Sequence, residues 1–457
     1  MRKSFDVVLL FALLLARITI EKFAEAGLFE HFENVVNSPT ISSWLPSGAA
    51  EVFGPWYGDP VFLFLTAVSL LVFLLYLLLD MFKDSIGSRI LYGGKYLLVL
   101  VIILTVVILP AVKLVVLRHE NLPHSYSHDG GVIQTEAAID FFLQGKNPYI
   151  ENYSNTPMAD WGFERFRTAL DHYPYLPATF IISAPIKLLA DALWGWYDQR
   201  FTYLLLFLLT LFLVAGLTRN RSDDLLGLTM IIGLNPIMGL DITFGQNDSF
   251  VLAWLVLSAW FLYRRNWFWS SVFLGVAAAS KPTAWFLAPF WGLAVLDVPE
   301  LSILELFTRS ILGRLLKRVA PAVITFLLFT IPYFIWSPND IVDDVWRWAA
   351  GSAQTHYQIW GVGFANFVLA WGGLPDRFAY WPFWIPEVIV ALPLLVLLVF
   401  KQLRANSIGS WFWNGAILLF GFAYFSRFLN ENYLGFLLAL FALGYYLPVI
   451  PEDKMRK

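Results

Sequence analysis

Apolar runs of membrane-spanning length, separated by short polar turns, occupy most of the chain. A helix of about 20 consecutive apolar residues is long enough to cross a bilayer. By this measure the candidate spans are 6–25, 60–82, 96–117, 200–218, 224–243, 249–264, 267–281, 283–297, 320–337, 381–400, 409–425 and 433–449. Those at 267–281 and 283–297 are short for a full crossing, which favours a broken or re-entrant pair. The pattern predicts an all-α polytopic membrane protein with about 12 transmembrane helices.

The lysines and arginines between these runs predict the orientation. The segment 174–193 is also apolar enough to cross, but a crossing there would invert the distribution of basic residues halfway along the chain. Without it, all the basic clusters lie on one side, which the positive-inside rule makes cytoplasmic. These clusters are Arg2/Lys3, Lys83/Arg89/Lys95, Arg219/Arg221, Arg264/Arg265, Arg309/Arg314/Lys317/Arg318, Lys401/Arg404 and Lys454/Arg456/Lys457. We therefore interpret 174–193 as a juxtamembrane or re-entrant helix within one large outer loop, 118–199.

Two further segments, 1–26 and 300–318, need an interpretation of their own. Residues 1–26 resemble a secretory signal, but the many apolar segments that follow favour an uncleaved first span. Residues 300–318 are predicted to form a cytoplasmic amphipathic helix, because Leu301, Leu304, Ile311 and Leu315 fall on one face.

Composition narrows the class further. Of 457 residues, 58% are hydrophobic and 14% are charged, against about 25% charged in a soluble domain. The net charge of −3 gives no reason to expect nucleic acid as a partner. Because there are no cysteines, disulfides, thiolate chemistry and cysteine-ligated metals are excluded. We predict no cofactor and no metal site, although the sequence leaves a divalent metal open.

Asp129 is the first candidate for chemistry. It stands before Gly130 and Gly131 in the predicted outer loop and opens an amphipathic helical run that ends near Gly145. An aspartate in that place is also a good helix N-cap. The two glycines favour a functional role, since they weaken helix initiation but let a ligand approach the backbone. The neighbouring His128 is a candidate for tuning or relaying a proton, or is a solvated loop histidine.

Two further candidates lie in the middle of the chain. Gln246, Asn247 and Asp248 form a polar turn between two apolar runs, and their amides and carboxylate suit sugar hydroxyls as well as an ordinary turn. Lys281 follows a run of small residues in an otherwise apolar stretch, and cations in such places mark functional sites unless they snorkel to the interface. Pro282 breaks the helix there.

The last candidate segment is the turn from Ser426 to Tyr433. Arg427 and Glu431 form either a structural pair or a site at which Arg427 binds a phosphate. Outer segments rich in aromatic residues suit sugar stacking, but tryptophan and tyrosine also gather at membrane interfaces without a ligand. This aromatic group comprises Trp346, Trp348, His356, Tyr357 and Trp360.

In this order the landmarks resemble the C-type (GT-C) glycosyltransferases, and among them the polyprenyl-phosphate-dependent mannosyltransferase-like enzymes of family 87. The matching pieces run from His128–Tyr149, through Tyr173–Pro177 and Gly245–Asp248, to Gly275–Pro282 and Ser426–Tyr433. Two additional transmembrane helices, in residues 1–95, depart from the usual arrangement, so the resemblance is carried by a catalytic membrane domain at 96–457.

The resemblance implies a glycosyltransferase that is a multi-pass protein of the plasma membrane, with its site on the outer, non-cytoplasmic face. It would move a hexose from a polyprenyl-phosphate sugar to a glycolipid or glycan acceptor. Asp129 takes the place of the base and Lys281 that of a donor-phosphate contact. The remaining substrate-binding candidates are His128, Tyr173, Gln246, Asn247, Asp248, Arg427, Asn430 and Glu431. A multi-pass transporter or lipid-linked-sugar flippase is the alternative.

Overall fold

The structure, a computed structural model, describes residues 4–28, 30–54, 58–120, 126–160, 169–218 and 221–447. The described residues are overwhelmingly helical, which confirms the predicted all-α class. The strands Trp360–Gly361 and Phe428–Leu429 pair in parallel and form a single two-stranded sheet among these residues. The basic residues Arg2, Lys3, Arg219, Lys454, Arg456 and Lys457 lie outside the described residues.

The chain divides into two compact units. The first comprises Met1–His128 and Tyr203–Asn247, and the second comprises Asp129–Thr202 and Asp248–Lys457. We call them the first unit and the second unit. The predicted division into two additional helices at 1–95 and a catalytic membrane domain at 96–457 stays a prediction.

The first unit is built from helices whose apolar residues recur on several faces. Its α-helices are Phe5–Ala26, His31–Asn37, Pro39–Ser42, Ala49–Phe53, Pro60–Met81, Ser88–Ile103, Leu109–His119, Ser222–Gly233 and Pro236–Phe244, with a π-helical turn at Leu104–Ile108. Helix Arg200–Thr218 begins in the second unit and continues into the first.

The second unit combines long apolar helices with short loop helices. Its α-helices are Thr135–Leu143, Ala178–Trp194, Asp248–Tyr263, Trp267–Ala278, Ala288–Ala294, Ile303–Leu306, Arg309–Trp336, Pro338–Val342, Trp348–Ala350, Ala365–Trp371, Trp384–Arg404, Ile408–Phe425 and Glu431–Tyr446. Its π-helical turns are Asp129–Gln134 and Asp343–Arg347, and its 3-10 turns are Tyr153–Asn155, Pro157–Asp160 and Pro282–Leu287.

Six helices in the described residues are long and apolar enough to cross a membrane, or seven if one bent pair counts as a span. The six are Pro60–Met81, Ser88–His119, Arg200–Thr218, Arg309–Trp336, Trp384–Arg404 and Ile408–Phe425. The bent pair is Ser222–Gly233 with Pro236–Phe244, at 47°. Ala178–Trp194, a helix of 17 residues, is not among them, and its interpretation as a helix that does not cross stays a prediction. The number of about 12 spans stays a prediction.

The predicted amphipathic helix at 300–318 is wrong in its bounds. A short helix, Ile303–Leu306, is followed by one continuous helix from Arg309 to Trp336. The helix continues from Arg309 into the apolar segment, although Pro321 has no N–H to donate, so the basic residues form the first turns of the long helix. Ile311 and Leu315 pack against a small core, whereas Leu304, predicted on the same face, is 80% exposed.

The first helix carries charges that its neighbours balance. Arg17, Glu21 and Glu25 are all buried. Arg17 bonds to Glu21 and donates to the Thr243 hydroxyl at 3.1 Å, and Lys113 bonds to Glu25. Buried charges are tolerated when they are paired and hydrogen-bonded. These pairs explain how a helix with so many ionisable residues packs inside the first unit.

Candidate functional site

Asp129 is the first residue of the π-helical turn Asp129–Gln134 in the second unit, and it is half-buried. Single π-helical turns occur frequently at functional sites. A Cβ atom added at Gly130 would lie 3.0 Å from the Tyr175 hydroxyl, so this position suits a residue without a side chain. The close neighbour is thus a tyrosine of the protein itself, which the sequence did not predict. Helix Thr135–Leu143 follows and ends before Gly145, whose φ is +73°, as expected.

Tyr357 lies within the electrostatic reach of Asp129. Burial raises the pKa of Tyr357 to about 12, the negative charge of Asp129 adds to the rise, and hydrogen bonding to Asn430 opposes it. The ring packs against Trp348, with centroids 4.9 Å apart, and against Phe428 at 4.8 Å. Tyr357 therefore keeps a neutral hydroxyl, whose pKa responds to the charge of the candidate base.

Lys281 lies in a buried polar network of the second unit. Its ammonium donates to Asp248 Oδ1 at 2.7 Å and lies 5.1 Å from the centroid of the Tyr433 ring. Asn432 donates to the other carboxylate oxygen of Asp248. Lys281 follows helix Trp267–Ala278 where Pro282 opens a 3-10 turn. The predicted break is present, and Lys281 is held by partners rather than directed to an interface.

Several buried polar atoms near these residues have no hydrogen-bond partner in the described part of the chain. Within the second unit they include Ser249 Oγ, Thr283 Oγ1, Gln358 Oε1 and Asn430 Oδ1. Each neighbours, in sequence, a member of the groups just described. Buried polar groups normally have partners, so such atoms are expected to meet water or a ligand.

Arg427 is committed to the protein backbone. Its guanidinium donates to the carbonyls of Tyr357 at 2.7 Å, Ala379 at 3.1 Å and Phe378 at 3.4 Å. Burial lowers its pKa to about 10. Among the described residues no ion pair joins it to Glu431, which is exposed at the start of the last helix. This geometry gives Arg427 a role in loop packing, and we leave it out of the proposed phosphate site.

The other predicted residues fall in two places. Tyr173 is fully buried in an aromatic core that includes Tyr149, Tyr153 and Phe180. His128, Gln246 and Asn247 belong to the first unit.

In the first unit, the His128 N–H donates to the Phe244 carbonyl at 2.6 Å, and the Gln246 N–H donates to the Asp241 carbonyl at 2.6 Å. Gly245 has a φ of +90° at the end of helix Pro236–Phe244. The polar turn is therefore present, and its three predicted residues divide between the two units.

Sequence reasoning missed Asn432 and Gln358 and left Tyr357 among the interfacial aromatic residues. Asn432 lies inside the candidate turn Ser426–Tyr433 but was not chosen there, and Gln358 stands in no local pattern that signals chemistry. What distinguishes these residues is that their polar side chains are buried and, as for Asn432, bind partners far away in the sequence.

One cluster of the first unit has the composition of a metal site. Ligand atoms of Glu25, His31 and Asp59 lie within 4.8 Å of one another. The ammonium of Lys113 bonds both carboxylates, and His31 Nε2 lies 3.0 Å from Asp59 Oδ2. A lysine thus supplies the positive charge between these acids.

Comparison with known proteins adds a family. Residues 140–297 match the MptA_B family, described as alpha-(1->6)-mannopyranosyltransferase, N-terminal domain. The match agrees with the resemblance to mannosyltransferases for this stretch of the chain. The matched stretch includes Tyr173, Asp248 and Lys281, and Asp129 precedes it. No curated protein matches the chain significantly.

Proposed function

We propose that the protein transfers a mannose-like hexose from a polyprenyl monophosphate to an acceptor hydroxyl at the outer membrane face. The acceptor oxygen forms a bond to the anomeric carbon as the bond from that carbon to the phosphate oxygen breaks. The bonding electrons leave with the phosphate, and Asp129 takes the proton of the acceptor hydroxyl. A single displacement of this kind inverts the anomeric configuration.

The observation that carries this proposal is the polar constellation of the second unit. It contains a half-buried carboxylate, a neutral tyrosine in its electrostatic reach, a buried lysine, and buried polar atoms without partners. Glycosyl transfer passes through a transition state that resembles an oxocarbenium ion. A phosphate leaving group needs no second carboxylate as general acid, which agrees with the single candidate base.

Lys281 and Asp248 are proposed to bind the donor phosphate as a unit. Asp248 holds the ammonium in place, and the ammonium stabilises the negative charge that develops on the departing phosphate. Asn432 fixes Asp248 through its other oxygen. The lipid part of the donor would lie along exposed apolar helix surface. Among the candidate spans, Arg309–Trp336 and Trp384–Arg404 expose the most: only 17% and 6% of their most apolar 18-residue stretches are buried.

The alternative is transport of a lipid-linked sugar. One observation favours it: the first unit buries Arg17 and Glu21 inside its helices, and ionisable residues within membrane helices often belong to transport pathways. The candidate chemistry of the second unit favours the enzyme.

The deciding experiment uses purified full-length protein with a synthetic polyprenyl-phosphate mannose and a lipid-linked mannoside acceptor. The proposal predicts a new glycosidic bond of inverted configuration, detected by mass spectrometry and NMR. Transfer from a nucleotide sugar in place of the lipid donor, or movement of the lipid donor across proteoliposomes without any product, would contradict it.

A further inference from the structure

His172 joins its own segment of the second unit to a second segment, residues 343–357, that is distant from it in the chain. Its Nδ1 lies 2.8 Å from Asp344 Oδ1 and its Nε2 lies 2.8 Å from Thr355 Oγ1. His172 and Asp344 are both buried. The ring therefore contacts this second segment at two places, the π-helical turn Asp343–Arg347 and Thr355.

The backbone around His172 is attached to the turn that begins at Asp129. Gln134, the last residue of that π-helical turn, donates its side-chain amide to the carbonyls of Ala169 and His172, each at 2.6 Å. The Tyr173 N–H donates to Asp344 Oδ2 at 2.8 Å. The main chain of His172 is thus fixed to the Asp129 turn, while its side chain is fixed to the second segment.

The second segment carries Tyr357. Thr355 stands two residues before it, and the Tyr357 N–H donates to the Trp348 carbonyl at 3.1 Å. The Trp348 ring also lies 6.4 Å from the His172 ring. The hydrogen bonds from Gln134 to the His172 carbonyl and from the His172 ring to Thr355 therefore connect the Asp129 turn with the segment that carries Tyr357, and the charge of Asp129 also acts on Tyr357.

We propose that His172 is a positioning residue that holds the Tyr357 segment against the Asp129 turn, and so aligns the acceptor hydroxyl with the base. This role rests on the proposed function. His172 touches no reacting atom. It acts through hydrogen bonds, at its ring to Asp344 and Thr355, and at its carbonyl to Gln134.

The sharpest variant is Thr355→Val, which keeps the shape of the side chain and deletes the hydroxyl that meets His172. We expect deuterium uptake in residues 351–359 to increase at least several-fold in the full-length protein. We also expect kcat to fall between about 10- and 100-fold, with KM for the lipid donor nearly unchanged, because small misplacements of reacting groups cost rates of this size. Thr355→Ser restores the hydroxyl and should restore both quantities.

Two neighbouring aspartates provide a matched control. Asp344→Asn changes the carboxylate that accepts from His172 and should behave like Thr355→Val. Asp343→Asn changes a carboxylate oxygen 3.7 Å from His172 Nδ1, beyond hydrogen-bond distance, and should leave both readouts near those of the native protein.

Exchange and activity separate the two proposals. If the native protein shows no transfer while Thr355→Val still loosens 351–359, the proposed function fails and the linkage by His172 stands. If exchange is unchanged in Thr355→Val, or if exchange rises but kcat does not fall in an active enzyme, the positioning role is wrong.

Discussion

Lys281 is a cation whose charge is balanced inside the protein by Asp248. A buried lysine without a partner would lose its proton or destabilise the fold. Here the ammonium donates to a carboxylate at 2.7 Å, and Asn432 holds that carboxylate from the other side. At the scale of residues, Asp248 thus holds the Lys281 ammonium in the place where the donor phosphate is proposed to bind.

Replacement of Asp129 by asparagine tests the proposed base. Asparagine keeps the size of the side chain and much of its capping capacity, but it does not accept the proton. We expect transfer activity to fall by about 10²–10⁴-fold, with the thermal midpoint little changed. Asp140→Asn is the control, because Asp140 is an acid of the following helix whose side chain is 50% exposed. Normal turnover in a folded Asp129→Asn protein would leave Asp129 as a helix cap only.

Replacement of Lys281 tests the proposed phosphate contact. Lys281→Ala should raise KM for the lipid donor or slow its cleavage, and Lys281→Arg should restore part of the loss, because the cation returns in a different shape. Kinetics with the lipid donor measure both effects.

Lys281→Ala also leaves Asp248 buried without its cation, which destabilises the protein by itself. The double variant Lys281→Ala/Asp248→Asn removes both charges. It should recover the thermal midpoint without recovering transfer. Recovery of transfer in the double variant would show that Lys281 serves stability alone.

The sequence could predict Lys281 and Asp248 because each is an ionisable residue beside apolar runs. It could not predict Asn432, which stands 184 positions from Asp248 and looks like any polar residue at a helix start. Arg427 shows the converse limit. An arginine between spans suggests a phosphate contact, but its three bonds to carbonyls depend on backbone positions that no local pattern reveals.

At the scale of elements, short irregular helices carry the candidate chemistry. Asp129 opens one π-helical turn, and Asp344 lies in another. Sequence periodicity predicted the helix after Gly131 and its end near Gly145. It could not predict a π-helical turn, since the i→i+5 hydrogen bonds that define one are a matter of backbone geometry that no side-chain pattern specifies. It also placed a boundary inside helix Arg309–Trp336, where charge changes but the backbone continues.

The His172 linkage between these elements is expected to weaken as the pH rises. Burial opposes a charge on His172, but the hydrogen bond to Asp344 and the charges of Asp344 and Asp343 outweigh it and raise its pKa. Burial raises the pKa of Asp344 to about 7, despite hydrogen bonds from His172 and Tyr173. The other groups facing His172 are the Thr355 hydroxyl and the Trp348 ring, and Arg347 lies 3.5 Å from Asp343.

Both shifts have the same sign, so the assembled linkage binds protons more tightly than the separated segments. Its stability is therefore fully present below the ordinary carboxyl pKa and is lost as the pH rises from there through about 7, the pKa of the assembled Asp344. Protection of residues 351–359, corrected for the intrinsic pH dependence of exchange, should decline between about pH 4 and 7. Asp344→Asn should flatten this profile. A decline of the same size in Asp344→Asn would assign the pH dependence to other groups.

At the scale of the molecule, the predicted site residues divide between two compact units. The chain passes from one unit to the other after His128, Thr202 and Asn247. The first and last of these points lie inside motifs that read as continuous in sequence. Asp129, Asp248, Lys281 and Asn430 share the second unit, which is the part of the molecule for which chemistry is proposed. Sequence order alone could not divide the motifs, because the division depends on packing between distant helices.

The predicted membrane orientation gives a final test at this scale. If residues 174–193 do not cross, a reporter fused after residue 150 and another after residue 340 should map outside the cytoplasm, while fusions after 220 and 405 should map inside. The physical reason is the clustering of lysine and arginine on one side of the spans. Fusions after 150 and 220 are the informative pair, because one crossing helix, Arg200–Thr218, separates them if Ala178–Trp194 stays at the surface. If both report the same side, Ala178–Trp194 crosses as well, and the candidate residues on the two sides of it no longer share the outer face that the proposed transfer requires.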